Sequence, residues 1–130
     1  MAGKIKGINI EIGGDTTGLD KALKNVNKSA SDASKEIKEI DKALKFDPGN
    51  VVLLSQKQEL LAKQVSNAKE KLETLKTAEE QVQKQFAEGK IGEEQYRAFQ
   101  REVEVTQNVL KGYEGKLASV NQALESNGNA

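Results

Sequence analysis

The sequence predicts an all-α fold, a long antiparallel coiled-coil helical hairpin or three-helix bundle, preceded by one short N-terminal β-strand. Three observations predict it. Apolar residues recur at alternating steps of three and four over most of the chain, which is the seam of packed helices. Two interruptions, KFDPGN and AEGKIGEEQY, carry turn and cap residues. Only one short stretch alternates apolar with polar residues. The expected division is residues 1-14 for the strand and a glycine turn, 15-126 for helices at about 17-46, 48-88 and 93-125, and 127-130 for a frayed tail.

The opening INIEIGGDTTGLDKAL changes period in its middle. Ile8, Ile10 and Ile12 alternate with polar residues, as in a half-buried strand, whereas Leu19, Leu23 and Val26 repeat at helical spacing. Between them Gly13, Gly14 and Gly18 permit a turn, and Thr17 with Asp20 forms a variant of the capping box. No second alternating run follows, so the strand has no partner in this chain and is expected to pair with another molecule or with nothing.

The first seam continues through Ala30, Ala33, Ile37, Ile40 and Leu44. It stops about Phe46, because the residue before Pro48 is pushed out of the helical region, and Asp47 with Pro48 is expected to cap the next helix. The second seam runs Leu54, Gln58, Leu61, Val65, Ala68, Leu72, Leu75, Glu79, Val82 and Phe86, which makes Gln58 and Glu79 its expected polar layers. Gly89 suits a helix C-terminus and Gly92 an N-cap, with Ile91 and Tyr96 at the two positions of a hydrophobic staple. The third seam runs Tyr96, Phe99, Val103, Thr106, Leu110, Tyr113, Leu117, Val120 and Leu124. Gly112 and Gly115 inside it mark either a weak stretch of helix or a close neighbour.

Antiparallel pairing gives partners whose residue numbers keep a constant total. Helices two and three do so at 181 or 182, as in Phe86 with Tyr96 and Leu61 with Val120, and helices one and two at 98. The heptad phase also survives both turns, so one extended coiled coil is an alternative form.

Composition narrows the chemistry. Only 36% of the 130 residues are apolar and 4% aromatic, against 31% charged, which argues against a large globular core. Lysine plus arginine balances aspartate plus glutamate at 20 each, so nothing steers the segment to nucleic acid or an anionic membrane. With no cysteine and no histidine, the usual transition-metal ligands and the commonest general base are missing. Asp15, Asp20, Glu79 and Glu93 converge on no base or ligand set, so no catalytic, cofactor or metal site is expected and the protein should not be an enzyme. No apolar run has the length of a signal sequence or a membrane span, so a soluble protein of a cytoplasm is expected.

KIKGINIEIGGDTTGLDKALKNVN, then LKFDPGNVVLL, then GKIGEEQYRAFQREVE, resembles the N-terminal segment of tail tape measure proteins of long-tailed bacteriophages and prophages of Gram-positive bacteria. The likeness covers residues 4 to about 120. It implies a non-enzymatic helical protein of the virion tail lumen, assembled in the host cytoplasm, that sets tail length. By the same resemblance its partners are tail chaperones, the tail tube protein and distal tail proteins. Even as one continuous helix these residues would span under about 200 Å, so the chain reads as an N-terminal piece of such a ruler. A coiled-coil adaptor or secreted helical-hairpin interaction protein is the alternative; a tetratricopeptide repeat fits poorly, its helices being about half as long. Self-association is expected. The residues expected to carry assembly are Ile8, Ile10 and Ile12 as a strand edge, with Leu19, Leu23, Val26, Leu61, Leu72, Leu75, Val82, Phe86, Tyr96, Phe99, Val103, Leu110 and Leu117 as helix seams.

Overall fold

The computed structural model describes residues 17–128, with side chains from Lys21 to Asn127. Among the described residues there are three helices and no strand: α1 (Thr17–Leu44), α2 (Val51–Ala87) and α3 (Glu93–Gly128). The expected class is therefore corrected to all-α. The described chain is helix apart from two turns, which leaves no extended backbone for a strand to pair with, and the expected strand at Ile8, Ile10 and Ile12 lies outside the described residues.

The first turn differs from expectation in its cap. Asp47, Pro48, Gly49 and Asn50 form a β-turn, closed by the Asn50 amide donating to the Asp47 carbonyl at 3.1 Å. Proline suits the second position of such a turn. The N-cap of α2 is thus Asn50, not Asp47: its Oδ1 accepts from the Leu53 amide at 3.0 Å, while its Nδ2 donates to the Asp47 carboxylate at 3.1 Å.

The second turn is more fully determined. The Lys90 amide donates to the Gln85 carbonyl at 2.8 Å and the Gly89 amide to that of Phe86 at 3.0 Å, the paired bonds of a Schellman motif. Gly89 takes the left-handed φ of 73° that this motif requires. Ile91 is buried, Gly92 caps α3, and the Gln95 side chain reaches back to accept from the Gly92 amide at 3.0 Å. Phe86 and Tyr96 stack across the turn with ring centroids 4.3 Å apart.

Helix α2 is the centre of the molecule. It packs against both α1 and α3, whereas no Cα of α1 comes within 8 Å of one in α3 among the described residues. Leu54, Leu61, Ala68, Leu75 and Val82, one in every seven residues, are all buried and make a continuous apolar column. The principal cluster joins Leu23 and Val26 of α1 to Leu75, Ala78 and Val82 of α2, Ile91 of the turn and Val103 of α3. Off the seam, long polar side chains reach past the register. Phe86 meets Tyr96 and Lys57 meets Asp41 in the expected registers, but Gln64 reaches Tyr113 and Lys71 reaches Glu102.

Candidate functional site

A second heptad column of α2 lies beside the apolar one: Lys57, Gln64, Lys71, Ala78 and Gln85. Its long polar members reach sideways to the flanking helices. Lys57 forms an ion pair with Asp41 of α1 at 2.6 Å, and Lys71 with Glu102 of α3 at 3.1 Å. Gln64 has no exposed surface and serves both sides, its Nε2 donating to the Ala30 carbonyl of α1 at 2.9 Å and to the Tyr113 hydroxyl of α3 at 3.3 Å. Its Oε1 accepts from Asn67 at 3.1 Å, and the Asn67 amide also donates to the Ser29 hydroxyl at 3.2 Å. Every polar atom of the buried amide is satisfied, as a buried polar group requires if it is not to destabilise the fold.

Above this network lies a groove of about 110 Å³ between α1 and α3. Val26 and Ala30 form one wall, Val105, Val109 and Tyr113 the other, and Gln64 and Ala68 lie at its floor. Val105 is 53% and Val109 41% exposed, so the α3 wall presents apolar surface to solvent. A second exposed apolar spot lies at the first turn, where Phe46 is 91% and Val52 66% exposed.

Of the residues expected to carry assembly, Leu23, Val26, Leu75, Val82 and Val103 come together in the principal cluster, with Leu72, Phe86, Tyr96 and Phe99 packed against it half-buried. Leu61 is fully buried elsewhere on α2, and Leu110 and Leu117 are half-buried on α3. The side chain of Leu19, like Ile8, Ile10 and Ile12, lies outside what is described. The polar layer is Gln64, not Gln58 or Glu79. Those two are only half-buried, and Gln58 bonds to Asn121 at 2.6 Å near the far end of α3. A single seam along α2 misses Gln64 because this helix faces two neighbours and buries a wider stripe than one seam covers. Val105 and Val109 also lie off the single seam of α3. The seven-residue spacing of Lys57, Gln64 and Lys71 beside the leucine column was the signal that could have found the network.

Among the described residues no group of three or more carboxylate, cysteine or histidine side chains could hold a metal ion. No helix there is long and apolar enough to cross a membrane. The geometry built here is a surface for helix packing. No model of a known protein family matches the chain. No solved structure matches it. Among curated proteins it is similar to a probable tape measure protein of Lactococcus phage SK1, 29% identical over 117 residues. That stretch is 90% of this chain and 11% of the phage protein, so the chain spans a small part of its relative's length.

Proposed function

We propose that this chain is a segment of a phage tail tape measure protein and serves there as a structural, non-enzymatic helical element. The observation that carries the reading is the likeness over 90% of the chain to a protein named a probable tape measure protein. Motifs at the head of the chain and at both turns carry the family resemblance in the same order, and a fold of long helices suits a structural role. In this reading the segment resides in the virion tail after assembly in the host cytoplasm. The whole protein sets tail length and meets tail chaperones, the tube protein and distal tail proteins, while this segment contacts neither nucleic acid nor membrane.

The test uses the intact gene in the phage or prophage that encodes it. Peptides from residues 17–128 should be recovered from purified tails, and in-frame removal of that stretch should shorten the tails or abolish them. Shortening by up to about 170 Å is the outcome if the segment lies extended along the tail axis. Tails of unchanged length that never contained these peptides would sink the assignment.

A further inference from the structure

The outward face of α1 carries charge of one sign. All six lysines of the helix, with Lys45 one residue past its end, fall on two adjacent columns of seven-residue spacing, Lys21, Lys28, Lys35 and Lys42 beside Lys24, Lys38 and Lys45; Ser31 fills the one remaining place. Every one of these residues is exposed, and no acidic residue lies on either column. Of the seven lysines only Lys28 and Lys42 are engaged in ion pairs, with Asp32 and Glu39 at 3.5 Å, and the other ammonium groups enter none among the described residues. A solvated helix face ordinarily mixes signs, as α2 does with Glu59, Lys63, Glu70 and Lys84. On α1 lysines instead stand three and four residues apart, at Lys21 with Lys24, Lys24 with Lys28, Lys35 with Lys38 and Lys38 with Lys42, and each such pair of like charges destabilises the helix. The ridge works against the element that bears it, which a merely solvated face has no reason to do.

From this asymmetry we propose that the lysine ridge of α1 docks along an acidic α-helix of another protein, one that carries Asp or Glu in a row at the same seven-residue interval. Length and repeat fit such a helix: the ridge runs for roughly 36 Å with a repeat of about 10.5 Å, which a second helix lying alongside reproduces. Width decides against broader polyanions. At 100° per residue, Asp32 and Glu39 border the ridge on one side and Asp41 on the other, each roughly 70–80° from its centre line, so a duplex or an anionic bilayer would press its phosphates onto carboxylates as well as lysines. A narrow row of carboxylates meets the lysines alone. A duplex also turns fully in about 34–36 Å, so its backbones cross a ridge of that length instead of following it. The apolar side of α1 is turned away from the ridge, with Leu23, Val26, Ala33 and Ile40 buried, so the helix cannot lie in a bilayer surface as an amphipathic one does. A second copy does not supply the acidic row either, because the column Glu59, Glu73 and Glu80 of α2 is flanked by Lys63, Lys69, Lys76 and Lys84. This docking does not depend on a place in a phage tail.

Fluorescence anisotropy on the whole chain tests it, the probe being an alanine-based peptide helix of about four heptads with glutamate on two adjacent columns. The peptide should bind at low salt and be released as salt is raised to about 0.5 M. Combining Lys24→Gln, Lys35→Gln, Lys38→Gln and Lys45→Gln should weaken binding about tenfold or more and leave the melting temperature no lower than that of wild type, because like-charge pairs have been removed. Combining Lys63→Gln, Lys69→Gln, Lys76→Gln and Lys84→Gln on α2 changes net charge equally and should alter binding by less than about twofold. A peptide of identical composition with its glutamates spread round the helix should bind about tenfold less tightly. No binding at low salt, equal loss in the α1 and α2 variants, equal binding of the scattered peptide, or tighter binding of duplex DNA or phosphatidylglycerol vesicles would each overturn the proposal.

Discussion

Gln64 shows how a single residue ties three helices together. The uncapped cost of a buried amide is offset by its bonds to Ala30, Tyr113 and Asn67, so the residue stabilises through satisfaction of the whole set rather than through any one bond. Gln64→Ala leaves the Tyr113 hydroxyl and the Asn67 amide short of a partner and opens a hole at the floor of the groove, and should cost about 2 kcal/mol in urea unfolding. Gln64→Leu fills the hole, and its orphaned neighbours sit at a groove open to water, so its loss should stay within about 1 kcal/mol. Equal loss in both variants would mean that hydrogen bonding, not volume, is what the site requires. Leu61, fully buried in the adjacent column, has no such alternative; Leu61→Ala should cost about 2–5 kcal/mol by the same measurement. Leu61 was legible in the sequence because an apolar residue in an apolar column needs no context. Gln64 was not, because its burial depends on where two other helices lie.

At the scale of the element, the turns were legible where they are local and illegible where they depend on closure. Gly89, Ile91 and Gly92 could be placed from the sequence because each acts within one helical turn of its own position. The cap of α2 could not, since the hydrogen bond from Asn50 to the Asp47 carbonyl moves the helix start beyond the proline. The tip glycines should separate under mutation. Gly89→Ala forces a side chain into the left-handed region and should cost about 1–2 kcal/mol, whereas Gly92→Ser supplies a better N-cap into open space and should gain a few tenths. Thermal melts of the two variants decide this, and equal shifts would rule out the Schellman assignment. In α3, Gly112→Ala meets no neighbour within the chain and should raise the stability of the dilute protein by about 1 kcal/mol. A fall in its dilute melting temperature would show that the helix is already contacted at that point.

On the scale of the whole molecule, α2 is the scaffold on which both outer helices pack. Amide exchange should therefore be slowest from Leu75 to Val82 and around Val103, where the principal cluster joins all three helices, and faster near Phe46 and Val52, where apolar side chains stand in solvent. Uniform exchange along α2 would contradict a core concentrated towards the tip. The antiparallel order could be read from short turns and matching seams, but the spacing of α1 from α3 could not, because no sequence pattern states which helix backbones stay apart. That spacing has a mechanical side. With an odd number of antiparallel helices, α1 starts towards the tip end, where Leu23 meets Leu75, and α3 finishes at the opposite end, where Asn127 lies against Gly49. Tension applied between Thr17 and Gly128 therefore slides α1 and α3 along α2 in opposite directions, loading many side-chain contacts together instead of peeling them apart in turn. A folded unit about 55 Å long, the rise of α2, would resist as a sheared joint, and once both turns gave way its helices could pay out to roughly 150 Å without melting.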